Sequence, residues 1–211
     1  MSVPDKSINP RLLSAAMEEF LDKGYENASL NDICRKAGVT TGALYKRYKG
    51  KEDLFGTLVA GVISDMEKYI TSIPEGFLKS FTDRELYDSL SMPAEMNLEW
   101  FRLLYEQKEA FTLLVKCSSG TRYADFHREW AERMNEADYM NYLEARKRGM
   151  TDKVMTKEEM YVLTTAVWTL FYEPFVRDFT WEQFEEHAQY LHDFINWHKV
   201  LGIKEPEIPL A

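Results

Sequence analysis

Between Ser29 and Lys51 the stretch SLNDICRKAGVTTGALYKRYKGK stops a helix and restarts it twice. Ser29 with Asp32 is a capping-box variant, with Asp where Glu or Gln is usual. Leu30, Ile33, Cys34 and Ala37 then recur at the spacing of one helical face, which predicts a half-buried helix. Gly38 follows as a left-handed terminator. Thr40 stands where it can cap a second helix, whose inner residues are Leu44 and Tyr48, and Gly50 precedes a third. Two short helices joined through Ala37-Gly38-Val39 form a helix-turn-helix: the glycine allows a sharp turn and Val39 pins the pair. The second helix is short enough to enter a DNA major groove end-on.

That second helix turns Thr41, Gly42, Ala43, Tyr45, Lys46 and Arg47 outward. Gly42 has no side chain, so backbone can approach a duplex closely there. The chain as a whole has a net charge of −9, which alone argues against a polyanion partner. Its distribution argues the reverse. From Lys23 to Lys51 there are seven bases and two acids, a basic patch on an acidic body. Lys51 opens the third helix, where the macrodipole disfavours a cation. A phosphate at that helix start reverses the sign, because ammonium, amides and dipole then act together. The hydroxyls of Ser29, Thr40 and Tyr45 can donate to neighbouring phosphates. Base reading then falls to Thr41, Ala43 and Lys46, with Arg47 as a further candidate, and phosphate anchoring to Ser29, Thr40, Tyr45 and Lys51.

The segment GYENASLNDICRKAGVTTGALYKRYKGKEDLF resembles the DNA-binding segment of the TetR family of transcriptional repressors. The likeness rests on Phe20, Gly24, Tyr25, Ser29, Ile33, Ala37, Gly38, Val39, Thr40, Gly42, Leu44, Tyr45, Tyr48, Lys51, Glu52 and Leu54. Cys34 departs from the small residue usual at its position, and Arg47 and Tyr48 stand where the family often has His and Phe. The resemblance covers about the first quarter of the chain and implies more than the motif. It implies a homodimer whose recognition helices enter successive major grooves of a near-palindromic double-stranded operator. It also implies a C-terminal helical domain that binds a small-molecule effector.

The remaining chain reads as helix throughout, with no hairpin or alternating strand signal. Asn9-Pro10 predicts a first helix start, with Leu13, Ala16, Phe20 and Leu21 on its apolar face and Gly24 at its end. Ile73-Pro74-Glu75-Gly76 predicts a break. Thr82/Glu85, Thr156/Glu159 and Thr180/Gln183 are capping boxes, and Pro93 starts a helix expected to reach about Leu114. A long helix ends at Gly149. The expected fold is all-α: an N-terminal three-helix DNA-binding domain over residues 1–56 and a larger helical effector-binding and dimerisation domain over 57–211.

Trp100, Leu104, Phe111, Trp130, Met134, Trp168 and Tyr172 are the expected pocket walls, suited to a largely apolar or aromatic effector. Pro174 either kinks its helix beside Tyr172 and Glu173 or marks an early end. His127, His187, His192 and His198 fit no metal-ligand spacing, so neither metal nor cofactor is expected. The absence of a serine-nucleophile or phosphate-loop motif argues against an enzyme. No apolar run reaches the roughly 20 residues of a membrane span. Cys34 and Cys117 fit reduced, buried thiols, and the expected location is cytoplasmic. The rival reading is a helical adaptor or small-molecule-binding protein without DNA regulation.

Overall fold

The computed structural model describes residues 8–71 and 80–206, and these contain helices and no strand. The elements are α1 (Ile8–Asn27), α2 (Leu30–Ala37), α3 (Thr41–Tyr45), α4 (Lys51–Thr71), α5 (Asp83–Ser89), α6 (Ala94–Tyr105), α7 (Lys108–Lys116), α8 (Phe126–Lys147), α9 (Lys157–Val176), α10 (Trp181–Phe194) and α11 (Trp197–Leu201). The break expected at Ile73–Gly76 lies outside the described residues. None of the described helices is long and apolar enough to cross a membrane. Two compact units form: one joins residues through Glu67 to Leu104–Phe126, the other joins Lys68–Leu103 to residues from His127 onward.

In the first unit the caps fall where the sequence puts them. Ser29 accepts from the Asp32 amide, Thr40 accepts from the Ala43 amide, and Gly38 ends α2 at φ 63°. The Asp32 carboxylate does not return the bond to Ser29; it pairs with Arg35 and Lys23 instead. Gly24 interrupts α1 at φ 72°, ψ 165°, a conformation that glycine alone adopts readily.

The buried face of α1 differs from the expected one. It is Leu12, Ala15, Ala16, Glu19 and Phe20, while Leu13 and Leu21 are half-buried. The rotation has an electrostatic cause. Glu19 is fully buried and accepts from Lys23 Nζ at 2.6 Å, pairs with Lys36 Nζ at 3.2 Å, and lies 3.4 Å from the Ser29 amide. One carboxylate thus ties α1 to the start and end of α2.

The hydrogen bond from Lys23 holds the Glu19 carboxyl below its ordinary value of 4.5, against the opposing effect of burial. Stability from this group is therefore complete above about pH 4.5 and is lost as pH falls through the lowered folded value. Glu19→Gln is expected to cost about 1–3 kcal/mol at pH 7 and to flatten the acid limb of stability. Thermal melts of both proteins from pH 3 to 7 check this; parallel pH profiles would refute the assignment.

Phe20, Tyr25 and Phe55 meet as an aromatic triad, with centroids 5.3–5.9 Å apart. Tyr123 adds a fourth ring 6.1 Å from Phe55. The Tyr25 amide donates to the Cys117 carbonyl at 3.1 Å, and the Arg122 amide donates to Glu52 at 2.9 Å. α7 and the turn after it thereby close over α1 and the start of α4. The single helix expected from Pro93 to Leu114 is instead α6 and α7, broken before Lys108. Gln107 has φ −121°, ψ 34° and donates its side-chain amide to Asp65 at 2.9 Å. A tertiary bond, with no glycine or proline, makes the break.

In the second unit all three capping boxes form reciprocally. One core gathers Leu86, Leu90, Tyr142, Met150, Met160 and Leu201. The Tyr142 hydroxyl reaches its edge, donating to the Lys153 carbonyl at 2.8 Å and accepting from the Met155 amide at 2.9 Å. A second, aromatic core stacks Phe101, Phe171, Phe175 and Phe184. Pro174 lies inside α9, which ends two residues later at Val176. Proline has no N–H for the Leu170 carbonyl. His187 Nε2, from α10, donates to that carbonyl at 2.8 Å.

Candidate nucleic-acid interface and ligand cavity

α3 has one face inside and one outside because Leu44 is fully buried and Tyr48 nearly so. Thr41, Gly42, Tyr45 and Lys46 are exposed on the other side; Ala43 and Arg47 are half-buried. Tyr45 is 58% exposed, although it is a large aromatic in a five-residue helix. Arg47 Nη1 donates to the Ala43 carbonyl at 3.0 Å, which holds the guanidinium along the helix. The hydroxyl oxygens of Ser29 and Thr40 serve as cap acceptors, which leaves each hydroxyl hydrogen to donate outward. A Cβ added at Gly42 would meet nothing closer than Thr40 Oγ1 at 3.9 Å. Neither the fold nor the backbone conformation therefore requires glycine there.

Lys51 is more engaged than its position in the sequence suggests. Its Nζ donates to the carbonyls of Glu26 and Ala28, both at 3.1 Å, and lies 4.5 Å over the Tyr25 ring. These acceptors offset the dipole of α4, and one N–H remains for an outside partner. The basic patch is also smaller than its count. Lys23 and Lys36 are bound to Glu19, Lys36 also to Glu18, and Arg35 to Asp32. Lys46 and Lys49 make no side-chain ion pair among the described residues.

The second unit encloses a cavity of about 210 Å³. α8 lines it with Trp130, Met134 and Asp138, one helical turn apart. Trp100 of α6 lies nearly parallel to Trp130, with centroids 6.4 Å apart and planes at 16°, and Tyr69 stands 4.5 Å from Trp100. Of the expected walls, Trp100, Trp130 and Met134 come together here. Trp168 is buried 6.1 Å from Trp130, outside the lining, and Tyr172 packs on His127 at 4.1 Å. Leu104 and Phe111 belong to the first unit, where both are fully buried.

Asp138, the charged residue among the described lining, is not one of the expected walls. Burial pushes its carboxyl up to about 7. The signal was available: it continues the Trp130–Met134 stripe at the same spacing of four. No group of three or more metal-ligating side chains occurs among the described residues. Cys34 and Cys117 are buried, and burial raises both thiols.

Residues 12–58 match the family described as bacterial regulatory proteins, tetR family. The chain is 40% identical over 55 residues to the uncharacterized HTH-type transcriptional regulator TtgW of Pseudomonas putida, covering 26% of this chain and 41% of that protein. It is 42% identical over 50 residues to the HTH-type transcriptional regulator SrpR, also of Pseudomonas putida, covering 24% of each chain. The chain thus spans less than half the length of these relatives. Across its length it is similar in fold to a TetR-like transcriptional regulator from Rhodococcus sp. RHA1, with TM-score 0.60, 14% identity, and coverage of 95% of this chain and 100% of that one. The shared architecture is an N-terminal helix-turn-helix followed by a larger helical part.

Proposed function

We propose that this chain, which belongs through its residues 12–58 to the TetR family of bacterial regulatory proteins, is a DNA-binding transcriptional regulator, a repressor released from its operator by a small effector. The carrying observation is the outer face of α3, where Thr41, Gly42, Tyr45 and Lys46 are exposed and no described residue comes closer than 3.9 Å to a Cβ at Gly42. In this reading residues 1–56 hold the duplex and residues 57–211 bind the effector and a second copy. Thr41, Ala43 and Lys46 read base edges, with Arg47 beside them; Ser29, Thr40, Tyr45 and the remaining Lys51 N–H grip phosphates.

Exposed apolar residues on α9 and α10 support a second copy as partner: Val162, Tyr190 and Phe194, the last 80% exposed. A two-fold assembly presents two α3 helices, which suits a near-palindromic operator. The effector acts by binding better to a dimer whose α3 spacing no longer matches successive grooves.

Unbiased selection of bound DNA tests the reading. Near-palindromic fragments should be enriched, with affinity that falls steeply with salt. Gly42→Ala should melt like the parent protein and bind those fragments about tenfold or more weakly, because its methyl group meets the duplex. Absence of any enriched sequence, or an unchanged affinity for Gly42→Ala, would overturn it.

A further inference from the structure

The cavity in the second unit holds one charged side chain without a counter-charge. Among its described lining residues Asp138 alone is charged. It forms neither a hydrogen bond nor an ion pair with any described residue. The other polar walls are occupied. Ser89 donates to the Leu86 carbonyl, Ser91 to the Asp88 carbonyl, and the Asn97 amide to the carbonyls of Met92 and Ala188. Tyr69 of α4 is the other titratable lining group, and burial raises its phenol, so it stays neutral. α5, α6, α9 and α11 present only neutral lining residues to the cavity.

An unpaired carboxylate in such a place is costly to ionise. A ligand ammonium removes that cost; Trp130 already carries the Arg133 guanidinium 5.4 Å over its ring, so added attraction for the ligand's charge falls to the indole of Trp100 in the lining. We infer that the cavity takes a compact organic monocation, an aryl-alkyl or similar amine, with its ammonium on Asp138 and its apolar body against Trp100 and Trp130. An anion would face Asp138 with no cation among the described lining residues to receive it. A neutral hydrocarbon would fill the space but leave the carboxylate unpaired. The volume, about 210 Å³, suits a one-ring ligand with a short chain: an engineered apolar cavity of about 150 Å³ already holds benzene. This inference deepens the proposed effector role and rests on it for its regulatory meaning, but not for the binding itself.

The pH dependence has a definite sign. Burial raises Asp138, so the empty site is partly protonated near neutrality. Amine binding must remove that proton, and affinity therefore rises with pH from about 6 to 8, below the range where an alkylamine itself loses charge.

Calorimetry on the whole protein without DNA provides the test, with three probes of one shape: 2-phenylethylamine, 3-phenylpropionate and propylbenzene. The amine should bind at least about tenfold tighter than either analogue, and tighter at pH 8 than at pH 6. Asp138→Asn keeps the shape; it should abolish both the preference and the pH dependence while leaving propylbenzene binding unchanged. Equal binding of the anion, a preference that survives in Asp138→Asn, or no binding by any probe would overturn the inference. Because the readout contains no DNA, its failure leaves the DNA selection result standing, and failure of that selection leaves amine binding intact.

Discussion

Truncation of Phe55 to alanine is expected to lower the stability of the first unit by about 3–5 kcal/mol. Phe55 is fully buried and touches the rings of Phe20 and Tyr25 edge-on at 5.3 and 5.5 Å, with Tyr123 at 6.1 Å. Two of those partners lie in α1, on either side of the Gly24 kink, and the third lies in the turn after α7. Removing the ring leaves a cavity that cannot collapse from one side, because its neighbours are held on both sides of the Gly24 kink and by the turn after α7. The adjoining Gly56 offers no relief: a Cβ there would already lie 3.1 Å from the Tyr123 hydroxyl. Denaturant melts followed by circular dichroism measure the loss. Phe55→Leu should fall between the two proteins, since it restores much of the volume without the edge contacts. A loss below about 1 kcal/mol for the alanine variant would mean that the triad is not what joins α1 to α4.

A second large effect is expected without any loss of stability. Tyr45→Ala combined with Lys46→Glu should weaken operator binding by on the order of a hundredfold or more at physiological salt. Both side chains are exposed, and neither has a hydrogen-bond or ion-pair partner among the described residues whose loss would cost stability. In the proposed reading the pair removes a phosphate donor and reverses a groove-facing charge, twice over in a two-fold assembly. The slope of log affinity against log salt should also become shallower. Binding titrations at several salt concentrations, alongside thermal melts, separate this from unfolding. An unchanged slope with an unchanged melt would place the DNA-contacting surface elsewhere.

Local signals carried much of this fold. Thr82/Glu85, Thr156/Glu159 and Thr180/Gln183 each form the box that their spacing predicts, because a cap is decided by residues three apart. Gly38 terminates α2 for the same reason of locality. What the sequence concealed depends on distant partners. The break before Lys108 coincides with Gln107 finding Asp65, and Leu104, Phe111 and Leu114 keep one helical phase across the polar run 106–109. The rotation of α1 follows from Lys36 reaching Glu19, and the reduced outward charge follows from the same pairs. For the candidate sites the division is similar. The outer face of α3 follows from where Leu44 and Tyr48 must go. The cavity required knowing which of many aromatics face one space, and Trp168 and Phe111 lie elsewhere.

The bond between His187 and the Leu170 carbonyl has a mechanical consequence. Because Pro174 cannot supply the partner, separation of α10 from α9 strands an acceptor at a cost of about 1–3 kcal/mol if it stays dry. The two helices are therefore tied at that point, and sliding α10 along α9 breaks the tie. The tie lies on the same helix as the exposed Tyr190 and Phe194, so a change at Pro174 of α9 has a direct contact through which to reach that surface.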